Sequence, residues 1–179
     1  MAMIAFVACS TNASFAMGED NQSKKKYENN RFVWTDNYVV EGSNAAIAPS
    51  PEEIVTTCLS REGKPLKWVR RNDIAKYGVY TGASIFETAL YNMSIDEMVN
   101  NMEKDGTLRT GLLWGGVWTR DVSYSSLLAL SYMCPDKVRN SLEVKIDRMG
   151  RIIQDTGTGG SWPISSDRVV WALSAWNIY

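Results

Sequence analysis

A mainly α-helical domain preceded by a small β-rich segment is the fold class this sequence predicts, on three observations. Past Gly82, apolar residues recur at helical spacing in four successive runs. Helix-start signals stand at the heads of the first and last of those runs, with Ser84 three residues before Glu87 and Ser165, Ser166 or Asp167 as the last cap. Between residues 31 and 81, short β-branched and aromatic runs are separated by Asp-Asn, Gly and Pro. The 179 residues, 45% of them hydrophobic, suffice for one domain with a true core.

Residues 1–16 (MAMIAFVACSTNASFA) read as the end of an export signal, in which Ser14-Phe15-Ala16 fits the small-x-small cleavage pattern. Phe6-Val7-Ala8-Cys9 resembles a bacterial lipoprotein box, with Cys9 as the lipidated residue. The two cleavage types stay open, and the basic leading region of such signals is missing. Either places the protein outside the cytoplasm, in the periplasm or cell envelope, with a lipid on Cys9 as the sole membrane attachment. No apolar run approaches the 18 or so residues of a spanning helix. Residues 17–30 are polar and charged and read as a linker.

Residues 31–81 form the β-rich region. Phe32-Val33-Trp34, Tyr38-Val39-Val40 and Leu66-Lys67-Trp68-Val69-Arg70 are strands, while Ser50-Pro51-Glu52-Glu53 predicts the start of a short helix ending by Gly63. Residues 82–179 form the helical region. The first helix starts at Ser84, presents Tyr91, Ile95, Met98, Val99 and Met102 on one face, and ends at Asp105-Gly106. A second runs from Asp121 to Met133 and stops at Pro135. The third spans Asp136–Ile153, with Val138, Leu142, Ile146, Met149 and Ile153 as its buried stripe. The fourth is capped by Ser165, Ser166 or Asp167 and is still apolar at Tyr179, an ending expected of a truncated product or a fragment.

Composition removes several function classes. The net charge is −1 and Lys24-Lys25-Lys26 is the one basic block, which argues against nucleic acid as a partner. There is no histidine, so Ser-His-Asp and Cys-His catalysis and His-ligated zinc are excluded. Acid–base chemistry would fall to Asp, Glu, Tyr or Lys. Cys9, Cys58 and Cys134 show no metal-binding or redox spacing, and Cys58 and Cys134 read as two buried thiols in preference to a disulfide between them. No metal or cofactor motif is present.

Trp118-Thr119-Arg120-Asp121 carries the most chemistry. Trp stacks on the C–H face of a pyranose. Arg offers five donors in a rigid fork, and Asp accepts from neighbouring hydroxyls. The same residues also suit a structural ion pair at a helix start. A Gly-rich approach precedes them and includes Trp114. A second aromatic–acidic–basic set follows at Trp162, Asp167 and Arg168, with Asp155 beside the Gly-rich loop 156–161. That loop lacks the Gly-Lys-Ser/Thr ending of a P-loop. Glycosidases need two carboxyls across the scissile bond, and Asp121, Asp155 and Asp167 are the candidates by position. Pairing with Arg120 would suit Asp121 to binding hydroxyls rather than to donating a proton.

From about Phe86 to Tyr179, half of the chain, the sequence resembles the six-hairpin glycosidases, whose fold is an (α/α)6 toroid. The resemblance is carried by Glu87-Thr88-Ala89-Leu90-Tyr91-Asn92, Asp105 to Gly111, Gly116-Val117-Trp118-Thr119-Arg120-Asp121, Arg151 to Gly157, Trp162-Pro163 and Ser166-Asp167-Arg168. It implies a partial toroid of about four helices. In glucoamylase-like members a similar Trp-x-Arg-Asp binds the terminal sugar, which transfers that role to Arg120 and Asp121. Trp162, Pro163 and Asp167 partly match a second stretch lining that subsite, with shorter spacing and without its Gln and final Gly. The implied function is carbohydrate metabolism: the N-terminal part of an exported glycoside hydrolase, inverting by analogy, that binds the non-reducing end of an oligosaccharide or polysaccharide. Its catalytic carboxylates would lie beyond Tyr179. The alternative is a non-catalytic glycan-binding or degenerate envelope protein that lacks the acid and base. An incomplete toroid would leave apolar helix faces exposed and the isolated chain prone to aggregate.

Overall fold

The structure, a computed structural model, describes residues 27–29, 31–153 and 166–179. It corrects the expected fold class: 39% of the described residues are helical and 24% are in strands or bridges, an α-and-β protein rather than a mainly helical one. Two compact units are present, one reaching to Glu97 and the other from Met98 to Tyr179. The expected export signal, the linker to Lys26 and residues 154–165 lie outside the described residues.

Six strands form an antiparallel meander in sequence order. They are β1 (Tyr27–Glu28), β2 (Phe32–Trp34), β3 (Tyr38–Glu41), β4 (Asn44–Ser50), β5 (Glu53–Leu59) and β6 (Pro65–Val69). The short helix expected after Ser50 is absent. Pro51 and Glu52 instead form the turn of the β4–β5 hairpin, with Ser50 opposite Glu53 and the Ser50 hydroxyl accepting from the Glu52 amide at 3.2 Å. Proline presets the first turn position, and the run Ile54-Val55-Thr56-Thr57 is β-branched and favours extended backbone. The capping pattern is thus a turn pattern here.

The helix α1 (Ile85–Asn100) lies on one face of this sheet. Its start behaves as expected, since the Glu87 amide donates to the Ser84 hydroxyl at 3.1 Å. Phe86, Ala89, Leu90 and Met93, spaced three and four apart, pack against Ala48, Ile54, Trp34, Val39, Ala46 and Trp68. One buried carboxylate ties the sheet's last strand to this helix. Asp96 accepts from the Trp68 indole at 3.0 Å, the Arg71 amide at 3.3 Å, and the Asn72 amide and side chain at 3.0 and 2.7 Å. Burial by itself would raise its pKa. The donors from Trp68, Asn72 and Arg71 outweigh that and hold it below the ordinary 3.8.

In the second unit, α2 (Thr119–Ser125) passes through a π-turn (Ser126–Leu130) into α3 (Ser131–Met133). The wider turn brings the Ser131 hydroxyl onto the carbonyl five residues back, Ser126, at 3.0 Å. Pro135 ends this run and opens α4 (Pro135–Glu143), and α5 spans Asp167–Ile178. The third helix is therefore half its expected length. Val138 and Leu142 are buried as expected, but Ile146, Met149 and Ile153 are exposed. After Glu143 the chain forms a hairpin-like turn in which Ile146 bridges Ile152. Asp147 organises it, accepting from the amides of Met149 and Arg151 and from the Arg151 guanidinium.

The same turn occurs earlier, where Met102 bridges Leu108. Gly106 has φ +85° there, a conformation that favours glycine, and a Cβ would also stand 2.7 Å from the Asn140 amide nitrogen. Apolar side chains remain exposed on α2–α3 (Tyr124, Leu128, Tyr132) and on α5 (Val169, Leu173, Trp176). No helix is long and apolar enough to cross a membrane among the described residues.

Asp96 yields a prediction with a defined sign. Folding lowers its pKa, so its contribution is complete above the ordinary carboxylate range and is lost as pH falls through the folded-state value, below 3.8. Asp96→Asn is expected to lose about 2–3 kcal/mol in urea unfolding at neutral pH, because an amide turns a donor towards donors. The gap to wild type should narrow as pH falls below the ordinary carboxylate range and through the lowered folded-state value. An unchanged midpoint at neutral pH would show that the four donors do not stabilise the fold.

Candidate functional site

The candidate site is built where α2 and α5 begin. Arg120 pairs with Asp167 and the Ser174 hydroxyl donates to the Ser123 carbonyl at 3.1 Å between α2 and α5, and the Asn177 side chain of α5 donates to the Ser131 hydroxyl of α3 at 2.7 Å. Partners advance along both helices together, so α2 and α5 run parallel and their N-terminal ends lie side by side. Small serines at the interface let the helices approach closely. The indole of Trp171 donates to the Leu142 carbonyl at 3.0 Å and ties α5 to the end of α4.

The carboxylate that holds Arg120 is Asp167, not its sequence neighbour. Arg120 Nε donates to Asp167 Oδ1 at 2.9 Å, across 47 positions of sequence. Asp167 is fully buried and its partner is 45% exposed. The carboxylate sits in the first turn of α5, where the helix dipole also favours negative charge. This bond anchors the guanidinium at Nε, and the arginine side chain is 45% exposed. Asp121 is exposed, one position further along α2.

Trp118 occupies the N-cap of α2, and its indole donates to the Gly115 carbonyl at 3.3 Å. Trp114 meets it edge to face, with ring centroids 5.6 Å apart and planes at 87°. Thr119 is buried, and its hydroxyl donates to the Ile153 carbonyl at 2.9 Å, tying the second hairpin-like turn to the start of α2. Trp114, Trp118, Arg120 and Asp167 are therefore brought into one region. Trp162 and Asp155, expected at the same mouth, and Cys9 lie outside the described residues.

What the sequence pattern does not reveal is the Arg120–Asp167 link, since nothing local pairs residues so far apart. It also gives no weight to Leu112 and Leu113. Reciprocal backbone bonds between Gly111 and Trp114 close a tight turn with these leucines at its tip, 80% and 78% exposed. An apolar pair between glycines in a loop was the available signal.

Cys58 and Cys134 are free thiols. Cys134 is buried beside Met98, with sulfurs 3.9 Å apart, and burial pushes its thiol up to about 11. Among the described residues no cluster of Cys, Asp and Glu is arranged to hold a metal ion.

Comparison with known proteins yields no match to any family model, curated protein or solved structure.

Two predictions follow from this geometry. Arg120→Ala leaves a buried carboxylate without its guanidinium and should lower the thermal midpoint, whereas Arg120→Lys keeps a cation there and should lose less than half as much; equal losses would show that charge is not what the site requires. At about pH 8, native Cys134 should resist alkylation and react on unfolding, because the thiolate is the nucleophile. Mass spectrometry of labelled peptides reads this, and rapid native labelling would contradict the packing around Met98.

Proposed function

We propose that the start of α2 binds the terminal, non-reducing sugar of an oligosaccharide or polysaccharide, in an exported protein of glycoside-hydrolase type. One observation carries the reading: a part-exposed arginine anchored by a buried carboxylate, two residues after Trp118, which packs edge to face with Trp114. A flexible arginine would lose side-chain entropy on binding a neutral hydroxyl, and an anchored one has already lost it. Trp118 and Trp114 supply apolar ring surface for the sugar's C–H face, and exposed Asp121 supplies acceptors. The resemblance to six-hairpin glycosidases supports the same role for Arg120 and Asp121.

Asp167 is better suited to positioning than to proton transfer, because its ionised form is what holds Arg120. This favours a second reading, in which the chain recognises glycan without cleaving it. No residue is assigned as catalytic acid or base.

Calorimetric titration of the full chain with pyranosides and short oligosaccharides tests the proposal. Arg120→Lys, which keeps the cation and loses the fork, should weaken binding at least tenfold, as expected for lost hydrogen bonds from a charged group. Trp118→Ala should weaken it further. Affinity unchanged in both variants would remove the glycan site from this region.

A further inference from the structure

The strand β6 is an edge strand, because the six strands pair in chain order and it is the last. The Arg70 amide donates to the Glu52 carbonyl at 2.9 Å, Trp68 stands opposite Ile54, and the Leu66 carbonyl accepts from the Thr56 hydroxyl at 3.2 Å. Backbone groups alternate sides along a strand, so Leu66, Trp68 and Arg70 turn theirs to β5 while Lys67 and Val69 turn their N–H and C=O groups outward. An open edge of this kind is a template for one more strand. The side chains around it carry mainly one sign of charge. Arg61, Lys64, Lys67, Arg70 and Arg71 are all exposed, with Glu62 the one acid among residues 61–71, in a chain whose net charge is −1. Lys64 pairs with Glu62 and Lys67 with Glu53, whereas Arg61, Arg70 and Arg71 form no ion pair among the described residues. A search for consecutive basic residues passes over this run, because Leu66, Trp68 and Val69 interrupt it.

We infer that β6 is a docking edge for an acidic, extended segment of another protein, which adds one more strand to the sheet. Backbone pairing at Lys67 and Val69 supplies the attachment. Carboxylates towards the two ends of the segment meet Arg61 on one side and Arg70 and Arg71 on the other. The strand has five residues and is roughly 17 Å long, so the complementary segment is short. Charge selects this occupant over a second copy of the chain, because β6 laid against β6 would set the same basic side chains against one another. The open backbone selects it over a nucleic acid or an acidic polysaccharide, neither of which continues a β-ladder. Lysine on an edge strand guards against pairing with neutral strands, and an acidic strand is the kind it admits. This surface belongs to the unit that ends at Glu97, and the inference is independent of the glycan reading.

The test is fluorescence anisotropy of a labelled peptide of alternating glutamate and valine, about seven residues long so that it spans β6, titrated with the full chain at low salt. The acidic peptide should bind, and its counterpart with lysine in place of glutamate should not. Methylating the backbone nitrogens of the acidic peptide keeps its charge and removes its donors, and should weaken binding about tenfold. Val69→Pro deletes an outward N–H without removing a bond to β5, and should weaken the unmethylated peptide several-fold. Arg70→Glu combined with Arg71→Glu reverses the charge at one end of the edge and should weaken it about tenfold. The methylated peptide is read on the unaltered chain, so the result stands even where a variant fails to fold. No binding of the acidic peptide overturns the inference. Binding that survives methylation, or that heparin or an oligothymidylate of matched charge equals, makes the edge a general polyanion patch and overturns it too. Equal binding of the lysine peptide shows that charge selects nothing here, with the same consequence.

Discussion

A buried carboxylate dictates how the second unit is arranged. Asp167 has no exposed surface, and an ionised group so placed costs several kcal/mol unless it is paired. Its partner is Arg120, which obliges the first turns of α2 and α5 to lie together although 47 positions separate them. The parallel register follows, with Ser123 against Ser174 and Ser131 against Asn177. So does the position of the aromatic pair, because Trp118 caps the helix whose second residue is that arginine. The interaction that orders the helices is the one that presents the guanidinium.

The first unit solves a similar problem differently. Asp96 is also fully buried, yet four donors from Trp68, Arg71 and Asn72 replace a cation. Neutral donors suffice where they converge on both oxygens and lower the pKa below that of a free carboxylate. The indole that donates belongs to a side chain packed on the sheet core. Apolar packing and polar satisfaction therefore share one residue, and the segment leaving β6 is held to α1 at the point where the sheet ends.

Function, on this reading, depends on a contrast between a rigid polar anchor and an aromatic pair near it in the chain. Arg120 is held by Asp167, and Trp118 and Trp114 are held edge to face. Each element is ordered without a ligand, which is the condition under which neutral hydroxyls and the C–H face of a sugar can be bound without a large ordering penalty.

Local sequence determined much of this protein. The strands around Phe32, Tyr38 and Trp68, the start of α1 at Ser84, the stop at Pro135 and the onset of α5 near Asp167 are all legible, because each rests on neighbours a few residues apart. Side-chain chemistry alone singled out Trp118 and Arg120, which stand at the N-cap and in the first turn of α2. Where local signals were ambiguous, tertiary structure decided. Ser50-Pro51-Glu52-Glu53 suits both a helix cap and a hairpin turn, and pairing of β4 with β5 selects the turn. The stripe from Val138 to Ile153 has helical spacing, yet Gly150 and the Asp147 turn end the helix after Glu143. The partner of Arg120 was the least legible feature. Charge attraction in a sequence has no preferred separation, and only the packing of two distant helix starts chooses Asp167 over the adjacent Asp121.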